Sequence, residues 1–348
     1  MKRTLSDVMV CPATGEGLRL SVDRESDGEI IEGTLVSTSG RRYPITSGIP
    51  RMLPFELIDE GQKETEQAFS AKWQRAADFG HEEKSRSFYV NWYLDRYQFG
   101  TIEGLREFLK GKARVLDAGT GVGRDSRLYA DNCAADVFGV DISRSIDAAY
   151  HHLKSYDRVH LIQADLTQLP FEPGFFDFIA CDQVLHHTRD TEESFHKLVR
   201  MLAPGGDISI YVYRKKAPLR ELADDYLRSV TSEMSEAEAW DLSEQLTDLG
   251  RVLTEINASI TLPDIPALGV KAGQYDLQRF VYWHMLKCYW NPSLNYGDSV
   301  ITNFDWYRPR YANRHTAAEV RRWFADAGLR IVTFDECDAG ISVRGHRD

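Results

Sequence analysis

The chain has 348 residues, 43% hydrophobic and 27% charged, enough for one large domain with an accessory piece. Its 42 Lys and Arg against 53 Asp and Glu give a formal charge of −11, and no basic patch stands against that field, so neither nucleic acid nor an anionic membrane is expected as a partner. Five cysteines without CxxC spacing, a start (MKRTLSDVMV) with no apolar stretch behind its basic residues, and no run of eighteen apolar residues predict a cytoplasmic protein with reduced thiols, neither secreted nor membrane-spanning.

Residues 1–55 read as short strands and turns, GLRLSVD, GTLVST and RRYPITSGIPRML, a small β-rich module. From Leu57 the segment 56–103 turns helical and aromatic. In SFYVNWYLDRYQF, Phe88 and Trp92, and Tyr89, Tyr93 and Tyr97, recur at i, i+4. TIEGLREFLKGK then presents Ile102, Leu105, Phe108 and Leu109 as one apolar stripe. Residues 104–216 alternate short apolar strands (ARVLDA, DVFGVD, VHLIQA, FDFIACD, DISIYVY) with helices (RDSRLYA, SIDAAYHHLK, EESFHKLVRML). Such alternation predicts an α/β fold with a doubly wound, Rossmann-like parallel sheet. Residues 217–314 read as helices and aromatic loops with no convincing strand, a helical cap inserted at the functional edge of the sheet. The core resumes at 315–348. There Thr316 and Glu319 form a capping box, Val320, Trp323, Phe324 and Ala327 the buried face, and Gly328 the stop, before IVTFDE and GISVRGH close an antiparallel terminal hairpin.

The stretch VLDAGTGVGRDSRLYA places Gly119, Gly121 and Gly123 in GxGxG spacing, not the GxGxxG of dinucleotide sites. Alone, the turn allows a dinucleotide, S-adenosylmethionine, or a tight connection that binds nothing. Asp141, ending the second strand, suits ribose hydroxyls of either ligand. Further motifs decide: VLDAGTGVGR, QADLTQLPF, FDFIACDQVLHH and LAPGGDISI occur in the order of the class I S-adenosylmethionine-dependent methyltransferases, which the chain resembles from about Leu105 onward. The resemblance implies S-adenosylmethionine as cofactor, with Asp117 and the three glycines along its methionine part, Asp141 and Ile142 at the ribose, Asp165 and Leu166 at the adenine, and Asp182 and Gln183 beside the methyl group. That ligand has no pyrophosphate, so the glycines would serve close approach of its amino-acid end. The first module resembles the zinc-ribbon-like domains attached to some methyltransferases, but Cys11, Thr14, Val36 and Ser39 stand where four cysteines are usual. One thiol cannot build a tetrahedral zinc site, so no metal is expected.

Methyl transfer is an in-line displacement that needs donor and nucleophile held about 3–3.5 Å apart and water excluded. A base is required only for a nucleophile such as a hydroxyl. His186, paired with His187 after Gln183, is one candidate base; the same pair is also common in the resembled family. FDWYRPRYANRHT gathers Tyr307, Arg308, Arg310, Tyr311, Arg314 and His315, either an anion-recognising loop offering a base or a solvated lead-in to a helix. His315 and Tyr307 are nominated to face the substrate. Trp73 and Tyr93, with Phe69 and Tyr89, form either a lid over the donor or ordinary core. The expected function is methylation of a small-molecule metabolite by a monomer or homodimer. The alternatives are intramolecular attack by the donor's own amine, releasing methylthioadenosine, and a non-catalytic subunit that binds S-adenosylmethionine.

Overall fold

The computed structural model describes residues 1–54 and 58–348; the boundary expected at 55/56 and the helical start at Leu57 lie outside the described residues. Helix α1 (Arg3–Ser6) and strands β1 (Leu18–Ser26), β2 (Glu29–Ser37), β3 (Arg42–Thr46) and β4 (Ile49–Pro50) build a four-stranded antiparallel sheet. Its first hairpin turns through Asp27 and Gly28 at φ 51° and 78°, the double left-handed geometry that an Asp-Gly pair supplies. Ile30 and Leu35 of β2 face inward with Tyr43, Ile45 and Cys11, and this layer packs directly on the central sheet. The Met52 amide completes the seam by donating to the Gln163 carbonyl at 2.7 Å.

Three helices follow, α2 (Glu60–Arg75), α3 (Glu83–Arg96) and α4 (Ile102–Leu109). Asp59 caps α2 by accepting from the Gln62 amide, and Thr101 caps α4 by accepting from that of Gly104. The core then alternates β5 (Arg114–Ala118), α5 (Arg124–Asn132), β6 (Asp136–Asp141), α6 (Ser145–Leu153), β7 (Val159–Gln163), β8 (Phe176–Cys181), α7 (Thr191–Arg200) and β9 (Leu202–Tyr213). Next come α8 (Pro218–Thr231), α9 (Glu236–Ile256), β10 (Ser259–Leu262), β11 (Gly273–Asp276), α10 (Leu277–His284) and α11 (Tyr296–Tyr307). The chain closes with α12 (Ala317–Asp326), β12 (Arg330–Glu336) and β13 (Gly340–His346).

The large sheet has the order β12-β13-β9-β8-β5-β6-β7. Strands β9, β8, β5, β6 and β7 are parallel, and β13 inserts antiparallel between β9 and β12. Successive residues of each strand serve opposite faces. Leu116, Phe138, Ile162, Ile179 and Ile210 join α7, α12 and the N-terminal module, whereas Val115, Val137, Leu161, Phe178 and Tyr211 join the layer of α3, α4, α5 and α6. Both faces are covered, which is why these strands read as continuous apolar runs. The α12 capping box is present as expected, with the Glu319 amide donating to Thr316 and the Glu319 carboxylate accepting from it.

One expectation for 217–314 needs correction, because the segment contains the hairpin β10–β11, paired from Ser259 with Asp276 to Leu262 with Gly273. Each strand has four residues, none of them buried; β10 (Ser259–Leu262) alternates exposed with half-buried positions over those four residues alone, and β11 has one half-buried residue, too little to mark a strand pair. Around the hairpin, α9 and α11 pack through Trp240 stacked on Phe304, with ring centres 3.8 Å apart.

Candidate functional site

Strand order reverses at β5: β6 and β7 lie to one side, β8 and β9 to the other. The crevice beyond the carboxyl ends of the strands at such a point is the natural ligand site of an open α/β sheet. Here it is a cavity of about 440 Å³, within the size range of small-molecule sites. The turn after β5 forms its floor, α2 and α3 roof it with Phe69, Trp73, Tyr89 and Trp92, and the segment from α8 to α11 closes its far end.

The glycines do different work. Gly119 has φ +88°, and a Cβ there would stand 2.2 Å from Val184, so it permits the turn to pack on the segment after β8. Gly121, φ +55°, borders the cavity beneath Trp73, whose ring a Cβ would meet at 3.3 Å. Gly123 does not border the cavity; its missing side chain makes room for Leu153. The Gly121 amide donates to Asp141 Oδ2 at 2.8 Å, while Asp141 Oδ1 accepts from the amide (2.8 Å) and hydroxyl (2.6 Å) of Ser143. Asp141 thus ties the end of β6 to the turn after β5 and still borders the cavity with Ile142. Asp117 lies beneath the turn, out of the lining, and accepts from Ser126 Oγ at 2.7 Å. Burial, with the Asp125 charge adding, raises its pKa to about 7.

Asp165 and Leu166 border the cavity beyond β7. The Asp165 carboxyl accepts from the Thr167 amide at 2.7 Å, and burial raises its pKa. At the end of β8, Asp182 is buried among Arg96, Tyr97 Oη (2.8 Å) and Gln183 Nε2 (3.0 Å). Burial pushes its pKa up, but the Arg96 and Arg124 charges outweigh burial and hold it below the usual carboxylate range. Arg96 is itself sandwiched between the Trp92 and Tyr211 rings, 3.3 and 4.1 Å from their centres. Gln183 takes φ +63°, an uncommon backbone state for a side chain, kept at the cavity rim.

Several nominated residues stand elsewhere. Tyr93 is core, hydrogen-bonded to Tyr129 Oη at 2.7 Å, while its neighbour Tyr89 borders the cavity. His186 is fully buried with its ring stacked on Tyr213 at 3.6 Å, whereas His187 borders the cavity. Tyr307 donates to Asp224 Oδ1 at 3.0 Å and accepts from the Lys287 amide at 2.9 Å, outside the lining. His315 lies behind β9, its amide donating to the Tyr213 carbonyl and its ring set edge-on to Trp323. The FDWYRPRYANRHT segment is a strap: Arg314 pairs with Glu221 and Asp225, Arg310 with Glu64, and Tyr311 Oη donates to Asp59. Arg310 and Arg314 are engaged by carboxylates, so these two arginines fasten cap and α2 together.

The far end of the cavity holds residues that the sequence motifs did not single out: Lys72, Lys216, Arg220, Lys287 and Asp305 among tyrosines and tryptophans. Lys72 Nζ pairs with Asp305 at 2.8 Å and lies 4.0 Å from the centre of Trp73. Only Lys216 carried a usable signal, since it follows the last parallel strand at its carboxyl end.

Residues 116–210 match the family model of the methyltransferase domain. An uncharacterized Synechococcus protein is 35% identical over 121 residues, 33% of this chain and 29% of that protein. Sterol methyltransferase-like 3 of Botryococcus braunii is 29% identical over 143 residues, 40% of this chain and 36% of its own length. The chain therefore spans about a third of the length of these relatives. Magnesium protoporphyrin IX methyltransferase from Synechocystis superposes with a TM-score of 0.43 at 14% identity, covering 84% of this chain and 99% of that one. Residues 116–210 thus carry a methyltransferase domain on a doubly wound, Rossmann-like sheet, an N-terminal β-rich module packs beside it, and S-adenosylmethionine is the cofactor that the domain match supports. Among the described residues no three His, Cys, Asp or Glu side chains gather as a metal site, and no helix is long and apolar enough to cross a membrane. Cys11 instead contacts Tyr43 Oη at 3.2 Å, and Ser39 donates to Glu16.

Proposed function

We propose that the protein transfers a methyl group from S-adenosylmethionine to a small molecule held beneath the cap. The observation that carries this reading is the single cavity that is bordered at one end by the Gly121 turn, Asp141 and Asp165 and at the other by residues of the cap. Bound S-adenosylmethionine supplies an electrophilic methyl carbon. On this reading residues 104–216 and 315–348 bind the donor, 56–103 serve as the lid, 217–314 as the substrate cap, and 1–55 as a docked, metal-free module.

The side chains suit that ligand. Asp141 uses its oxygens on Gly121 and Ser143, and a carboxylate has further lone pairs with which to accept ribose hydroxyls. Asp165, buried and costly as an unpaired anion, gains from the amino group of an adenine lying against Leu166. Gly121, lacking a side chain, admits the amino-acid end, and Asp182 with Gln183 borders the methyl carbon. Phe69, Trp73, Tyr89 and Trp92 exclude water. His187 accepts the acceptor's proton at Nε2, because Nδ1 is committed to the Tyr311 carbonyl.

Incubating the protein with labelled S-adenosylmethionine and a metabolite extract is expected to release S-adenosylhomocysteine. Asp141→Ala is expected to abolish both this release and the calorimetric heat of donor binding. Release of methylthioadenosine would replace this reading with intramolecular attack. Donor binding without any product would leave a non-catalytic subunit.

A further inference from the structure

Three cations surround one indole at the cap end of the cavity. Lys287 Nζ stands 4.4 Å, the Arg220 guanidinium 5.2 Å and Lys216 Nζ 5.7 Å from the centre of the Trp306 ring. Their partners differ sharply. Arg220 is ion-paired with Asp224, Nε to Oδ1 at 2.8 Å. The Lys216 ammonium rests on two neutral acceptors, the carbonyls of Asp338 and Ala339. Lys287 is 6% exposed and borders the cavity, yet among the described residues its Nζ makes no hydrogen bond and no ion pair.

The local carboxylates do not balance these charges. Asp305 is ion-paired with Lys72 and Asp224 with Arg220, so neither Lys216 nor Lys287 has a carboxylate of its own within ion-pair distance. A buried ammonium is retained only where something of opposite charge or strong acceptor character meets it. Burial pushes both lysines down to about 7 and the positive charge of Arg220 pushes the same way, while the Asp305 and Asp224 charges offset part of this at Lys287. An anion placed between them would restore the charged forms and remove the imbalance.

We propose that this end of the cavity is an anion subsite: the methyl acceptor carries a carboxylate or phosphate group that lies between Lys287 and Lys216, with its apolar body against Trp306 and Tyr282. The inference deepens the methyltransferase reading and rests on it for the identification of the bound anion as the acceptor. It accounts for the cluster of cations in a chain of net negative charge, since these are walled inside the cap and answer to a small ligand.

The test is calorimetry on the full chain, with and without saturating S-adenosylhomocysteine, titrated with benzoate, phenyl phosphate and neutral benzamide. At least one of the two anions is expected to bind while benzamide gives no heat, and the arm that binds identifies the acidic group. Lys287→Met and Lys216→Met are each expected to weaken that anion by at least about thirtyfold. Both should leave S-adenosylhomocysteine affinity within about twofold, and Lys287→Arg should keep anion binding. Equal binding of benzamide and benzoate, no binding of either anion, or undiminished binding by both Met variants would overturn the subsite. The two readings fail separately: anion binding without S-adenosylhomocysteine binding removes the methyltransferase reading, and the reverse removes only the subsite. Should Lys287→Met not fold, Lys216→Met and Lys287→Arg still decide.

Discussion

His187 and Tyr311 are joined by a hydrogen bond of 2.7 Å, the imidazole Nδ1–H donating to the backbone carbonyl. A carbonyl can only accept, so this contact fixes the neutral tautomer and leaves the Nε2 lone pair free. Burial lowers the pKa of the ring to about 4, which keeps it neutral through the physiological range.

If the acceptor is a hydroxyl, His187→Ala should reduce kcat by about 10²- to 10⁴-fold while donor affinity stays within about twofold. The pH profile of kcat should lack the acidic limb near 6.5 that an unperturbed imidazole produces. Steady-state kinetics from pH 5.5 to 8 checks both, and a limb near 6.5 abolished by His187→Ala would contradict the depressed pKa.

Gly119→Ala should destabilise the fold by about 2 kcal/mol or more, because it combines a left-handed φ of +88° with a 2.2 Å approach to Val184. Adding Val184→Ala removes the contacts at 2.2 and 2.6 Å but leaves the Val184 Cβ at 2.9 Å and the backbone strain. Urea unfolding of the double variant should therefore recover some, but not all, of the lost stability.

Tyr307→Phe and His315→Ala separate cap architecture from chemistry. Tyr307→Phe deletes the bond to the buried Asp224 and should cost about 1–3 kcal/mol, leaving kcat per folded molecule within a few fold. His315→Ala should likewise spare kcat, since its ring packs on Trp323 behind β9. A loss of 10²-fold or more in kcat in either variant would bring that side chain back into the reaction.

Acid sensitivity should centre on histidines that are buried or half-buried. His81, His187 and His315 each have a pKa lowered to about 4 by burial, below the ordinary 6.5. Between those values the unfolded chain binds more protons than the folded one, so their contribution to stability is complete above about 6.5 and is lost as pH falls through about 4. Tm should fall over that window, and His81→Gln should flatten the fall. His81 is the sharpest probe, because it stacks on His152 at 3.9 Å, where two imidazolium rings would repel.

Much of the donor side was legible in the chain. The short apolar runs in ARVLDA and DVFGVD, both flanked by helical stretches, identify parallel strands covered on both faces, and the glycine turn with Asp141 marks the place where they open. The capping box at Thr316 and Glu319 is equally local, since its two hydrogen bonds join residues three apart. The β10–β11 hairpin escaped because its strands have only four residues each and bury none of them, so the alternation of Ser259–Leu262 is too short to stand out.

The acceptor side was not legible in the same way. Tyr307 and His315 are conspicuous in sequence because polar and aromatic residues crowd around them, yet their donors point to Asp224 and to the back of β9. Lys287 and Lys216 lie 71 positions apart by number, and only the packing of α8, α10 and the following loop around Trp306 brings both ammonium groups to one ring.

The amino-acid order alone determined the doubly wound sheet, its terminal hairpin and the aspartates at the ends of its strands, because apolar period, caps and turn chemistry act over a few neighbouring residues. Tertiary structure alone decided which histidine of the pair meets the cavity, which glycines serve packing, and which lysines lack a carboxylate of their own. Those outcomes depend on burial and on charges brought together across hundreds of residues, and a side chain's acidity and availability are properties of that surrounding, not of its place in the chain.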